Sequence, residues 1–91
     1  MGLTVWKFHW PMNAPDVADI SMPIGAEVIH VGEQDNRLCI WARVEDSAPK
    51  AMYRFAICGT GTACPPDKYL GTAKLYGGQL ILHVFQQDFN S

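Results

Sequence analysis

The chain has 91 residues, about half of them hydrophobic, with three tryptophans and a formal net charge of -2. A chain of this length is one domain, and it is too apolar and aromatic for a disordered segment. Acids and bases are scattered along it, so there is no basic stripe for non-specific nucleic-acid binding and no polybasic anchor for a membrane surface.

No apolar run approaches the ~20 residues needed to cross a bilayer. The start, "MGLTVWKFHWP", lacks the apolar core and small-residue cleavage site of a signal peptide. Position 6 is Trp where the myristoylation pattern has Ser or Thr. Cys39, Cys58 and Cys64 are odd in number and read as reduced thiols. The expectation is a cytoplasmic protein. A domain this small buries only about 60–65% of the surface its unfolded chain exposes. Oligomerisation is a common remedy, so a homo-oligomer is expected.

The dominant period is two. In "TVWKFHW" the residues Trp6, Phe8 and Trp10 share one face of a strand, Val5, Lys7 and His9 the other, and Pro11 ends it. "VADISM" is a weaker second strand, and "APDVAD" has room for one helical turn. "AEVIHV" is the third strand and "GEQDNR" a turn cluster. "LCIWARVE" alternates Leu38, Ile40, Ala42 and Val44 against Cys39, Trp41, Arg43 and Glu45. "DSAPK" breaks it, and "AMYRFAIC" sets Tyr53, Phe55 and Ile57 against Met52, Arg54 and Ala56. "YLGTAKLY" and "LILHVFQQ" flank Gly77-Gly78, a short hairpin signal. The last residues, "DFNS", are expected to fray. The fold class is therefore all-β: about seven short, mostly antiparallel strands in a small sandwich or partly open barrel.

Between the fifth and sixth strands lies "CGTGTACPP". Gly59-Thr60-Gly61 could converge backbone N–H groups on an anion. The dinucleotide and P-loop patterns both fail, because neither a helix nor Gly-Lys-Ser/Thr follows. A glycine-requiring exit from a strand is the plainer reading. His9, His30 and His83 are far apart, and Cys58 and Cys64 do not have zinc-knuckle spacing, so no metal is expected. Nothing adjacent activates Cys64, there is no nucleophile elbow, and no enzyme is expected.

A binding role fits the residues better. Trp41 and Arg43 share the outer face of one strand, Arg54 lies on the next, and Tyr76 follows at a turn. Together they could form an aromatic and cationic pocket, with Gly59, Thr60, Gly61 and His83 beside it. Against this, Trp41 could complete a second small core, with the arginines paired to Glu27, Glu33 or Glu45.

As a whole the sequence resembles a family of small, uncharacterised phage and prophage proteins. The resemblance is carried by P-x-G-A, L-C-I-W-A-x-V, G-T-G, Y-L-G-T and H-V-F. It departs from that family in Cys58 and Cys64 around the glycine loop. The resemblance implies an accessory protein of the host bacterial cytoplasm that counters a defence pathway. Its partner would be a host defence protein or a nucleotide-type immune signal that it sequesters, and it implies no cofactor. In the sequestering case Trp41 and Tyr76 would stack on the base and Arg43 and Arg54 would meet phosphates. A protein-interaction or structural phage module, and a small hydrolase centred on His83, are the alternatives.

Overall fold

The computed structural model describes residues 2–12 and 16–87. "DFNS" and part of "APDVAD" lie outside them. Seven strands form in order: β1 (Leu3–His9), β2 (Val17–Pro23), β3 (Glu27–Gln34), β4 (Arg37–Glu45), β5 (Lys50–Gly59), β6 (Lys68–Leu75) and β7 (Leu80–Gln86). They make two antiparallel sheets, β1-β4-β3 and β2-β5-β7-β6, stacked as a sandwich and not closed into a barrel. Val17–Asp19, read as room for a helical turn, is extended and pairs with Phe55's neighbourhood on β5.

The period-two pattern explains the layering. Leu38, Ile40, Ala42 and Val44 of β4 face inward and are buried, as are Ala18, Ile20 and Met22 of β2. Phe55 and Val84 meet them from β5 and β7, both fully buried. Trp6 and Phe8 pack against this core from β1, and Trp10 is part of it. No buried polar or charged residue occurs among the described residues, so the single apolar layer carries the fold.

Two turns depart from the simplest reading. The turn between β3 and β4 shrinks to Asp35 and Asn36, whose φ of 55° and 60° match the left-handed pair that a tight hairpin needs. Glu33 Oε2 accepts from the Asn36 N–H at 2.7 Å and fixes it. The β6–β7 connection is longer than a two-residue Gly-Gly turn. Tyr76–Gly78 form a 3₁₀ turn in which Tyr76 (φ 51°), Gly77 (φ 67°) and Gly78 (φ 92°) are all left-handed.

The two sheets close on one side where β3 lies beside β6. Both strands carry a bulge there, between Val28 and His30 and between Tyr69 and Gly71. A Cβ on Gly71 would stand 3.0 Å from the Val31 Cβ. Gly71→Val is therefore expected to overpack this seam and cost about 1–3 kcal/mol in denaturant unfolding. Adding Val31→Ala should recover part of that loss, and an unchanged midpoint in Gly71→Val would show that the seam is loose.

Candidate functional site

The outer faces hold most of the predicted site residues, but on opposite sides of the molecule. Arg43 and Trp41 lie on the outer face of the three-stranded sheet. Arg43 donates to Glu27 Oε1 at 2.5 Å, its cross-strand partner. Trp41 packs its ring against His30, centroids 5.2 Å apart, and the two cover Gly32. Arg54 lies on the outer face of the other sheet and donates to both oxygens of Asp19, at 2.9 and 3.3 Å. The pocket expected from Trp41, Arg43, Arg54 and Tyr76 does not assemble, because the apolar layer separates Arg43 from Arg54.

Both arginines hold their carboxylate partners below the usual range, chiefly through the side-chain hydrogen bond. A depressed carboxyl pKa contributes stability above the ordinary carboxylate range and loses it as pH falls through the depressed value. The thermal midpoint of the chain should thus exceed that of Asp19→Asn/Glu27→Gln at neutral pH. The gap should close between about pH 5 and pH 2. Because both pairs are exposed, 1 M salt should shrink it as well.

Gly59, Thr60 and Gly61 form a turn that satisfies itself. Thr62 donates to the Gly59 carbonyl through its N–H (3.2 Å) and its hydroxyl (2.8 Å). Thr60 Oγ1 is hydrogen-bonded to His83 Nε2 at 2.8 Å. The other ring nitrogen meets Thr72 Oγ1 at 2.9 Å, and Thr72 meets the Tyr69 hydroxyl at 2.6 Å. This chain of hydroxyls on the outer face of the four-stranded sheet latches the loop to β7. Among the described residues no carboxylate is bonded to His83.

The cysteines grade from inside to outside. Cys39 is buried, Cys58 is half-buried and Cys64 is exposed. Burial pushes the Cys39 thiol up, and burial with the neighbouring Cys64 thiol pushes Cys58 up. An aromatic disulfide reagent should modify Cys64 first, Cys58 more slowly, and Cys39 only on unfolding. One fast thiol in the native state and three in denaturant is the expected count, and fast loss of Cys39 would contradict the fold.

A cleft of about 450 Å³ opens at the end of the sandwich where β1 finishes and β4 begins. Its apolar wall is Trp10, Leu38, Ile57, Leu75 and Leu82; Asp35, Arg37 and Tyr76 stand with them in its lining. The register explains the convergence. His9 pairs with Cys39, so Trp10 comes beside Leu38, and its N–H donates to the Leu38 carbonyl at 2.9 Å. The rigid Asp35-Asn36 turn then holds Arg37 next to this pair.

Three features set the cleft apart. The Trp10 Nε1–H is buried, with no hydrogen-bond partner among the described residues. Among the described residues no ion pair engages Arg37, whereas Arg43 and Arg54 are both committed. Tyr76 is held in a left-handed conformation that costs an aromatic residue about 1–2 kcal/mol. Nearby, desolvation first and then the charges of Arg37 and Lys7 lower the pKa of His9, with Asp35 opposing them. Of the ligand-binding residues expected from the sequence, Tyr76 alone lines this cleft. Trp10, Asp35 and Arg37 were missed. Their sequence signals were a Trp directly before Pro11 and an Arg directly after a tight turn.

The fold and the cleft define a small two-sheet β-sandwich with a ligand-sized opening at one end. The chain belongs to the family described as "Domain of unknown function (DUF7352)", whose model matches residues 1–91. No curated protein and no solved structure matches it.

Proposed function

We propose that the chain is a non-enzymatic binding protein whose end cleft holds a small, flat, anionic ligand of the nucleotide type. One observation carries this reading: an apolar cleft walled by Trp10, Leu38, Leu75 and Tyr76 is edged by the Arg37 guanidinium, which nothing in the described protein engages. The apolar wall suits a ring, Tyr76 can stack on it, Arg37 suits a phosphate, and Asp35 can accept from sugar hydroxyls. The volume lies in the ordinary range for small-molecule sites.

This moves the ligand from Trp41, Arg43 and Arg54 to Trp10, Arg37 and Tyr76. The phage setting rests on the sequence resemblance and not on membership of the family. In that setting the cleft would sequester a nucleotide-type immune signal and so counter a host defence pathway.

Thermal unfolding against mono-, di- and cyclic nucleotides and ADP-ribose derivatives tests the reading. A ligand at 100 times its Kd stabilises the native state by ~2.7 kcal/mol, several degrees for a domain of this size. Arg37→Ala should weaken binding about tenfold or more. Tyr76→Gly should weaken binding without lowering the ligand-free midpoint, since it removes backbone strain. A flat panel, or a shift indifferent to Arg37→Ala, overturns the proposal. Turnover of a nucleotide that is lost in His83→Ala would favour a hydrolase instead.

A further inference from the structure

β1 is an edge strand, and its free edge differs from the other three. The hydrogen bond from Trp10 N to Leu38 O, with the unbroken β1–β4 register, fixes which backbone groups point where. In an antiparallel pair, alternate residues exchange both bonds with their partner. Thr4, Trp6 and Phe8 therefore bond to β4. Leu3, Val5, Lys7 and His9 direct their N–H and C=O groups outward, and among the described residues no backbone hydrogen bond uses them.

Edge strands are ordinarily blunted by bulges, prolines or charges. β3 and β6 each carry a bulge and cover each other at the Gly71–Val31 seam. By the same alternation, β2 turns its odd residues outward; these include Pro23, which has no N–H, and Asp19. β1 has no bulge and no proline, and Leu3 and Val5 are 67% and 51% exposed on its outer face. Its single charge, Lys7, is tied back across β4 to Gln34.

We infer that this edge is completed by β1 of a second copy, antiparallel about a two-fold axis at Trp6, giving one continuous six-stranded sheet. The strand is self-complementary in that register. Val5 falls opposite Lys7 and Leu3 opposite His9, so no like charges face each other and every outward odd residue gains its donor and acceptor. Trp6 pairs with Trp6 and Thr4 with Phe8 at the closer, non-hydrogen-bonded positions, where aromatic cross-strand pairs interact best. Centring on Lys7 instead would oppose two lysines, and centring on Val5 would leave His9 unpaired. The partner is thus a second copy of this chain, and the inference stands apart from the cleft, which lies beyond the end of β1.

Sedimentation velocity over a concentration series, with circular dichroism as the folding control, tests it. The native chain is expected to reach twice its 10.1 kDa mass. Val5→Lys, at an exposed outer position, should keep the spectrum and weaken the dimer about tenfold or more by opposing Lys7 twice. Adding Lys7→Glu should restore association. In a Cys64→Ser background, a mixture of Val5→Cys and Lys7→Cys chains should crosslink on mild oxidation by oxidised glutathione, and either alone should not. A chain that stays monomeric at every soluble concentration, or a dimer indifferent to Val5→Lys, overturns the inference. Crosslinking of Val5→Cys with itself overturns the register.

Discussion

The structure depends on closing two sheets over one layer of inward side chains. A chain this short has enough apolar residues for one such layer and no more. Every inward position of β4, and those of β2, β5 and β7 that meet it, must therefore be apolar, and none of the described buried residues is polar or charged. Polar chemistry is displaced to the two outer faces, the edges and the ends. On the outer faces a long cationic side chain meets a carboxylate on the neighbouring strand, as Arg43 meets Glu27 and Arg54 meets Asp19. Only at an end can an inward aromatic residue share a space with a turn-borne charge, and that is where Trp10, Arg37 and Tyr76 come together.

The closure is also lopsided. On one side Gly71 lets β6 approach Val31 of β3 closely, and the bulges in both strands accompany this approach. On the other side β1 and β2 are not joined by a comparable seam. The chain crosses from one sheet to the other between them, so the two strands are successive in sequence yet belong to different sheets. A sandwich sealed at one seam leaves its hydrogen-bonding capacity on the opposite edges. This is why the unprotected strand is β1 and not β3 or β6.

Much of the fold was legible because period two is a local signal. Alternation sorts the side chains of β1, β4 and β5 into two sets, including Trp10 with Trp6 and Phe8, but leaves open which set meets the core. Pairing was not legible. Nothing in "TVWKFHW" says that its partner is β4, more than twenty residues on, and without that pairing Trp10 and Arg37 are unrelated. The expected pocket failed for the same reason. Alternation places Arg43 and Arg54 each on an outer face, but only topology shows that the two faces are opposite ones. The Gly77-Gly78 signal was right about a hairpin and silent about Tyr76, which joins the glycines in a conformation its side chain disfavours. Cys39 shows a further limit: it alternates with the outward residues yet is fully buried.

The contrast between the two polar clusters favours the end cleft over His83 as the place for the proposed binding. Around His83 both ring nitrogens are engaged, by Thr60 and Thr72, and Tyr69 extends the chain of hydroxyls. That cluster is complete in itself and holds a loop in place. The end cleft is incomplete. Among the described residues it keeps an indole N–H without a partner and a guanidinium without a counter-ion, and its tyrosine shares the left-handed geometry of the two glycines that follow it. The left-handed tyrosine costs about 1–2 kcal/mol, and the unpartnered buried indole N–H about 1–3 kcal/mol. Local rules relaxed together at one cleft, while they hold across the rest of the sandwich, support the proposal that this end serves binding.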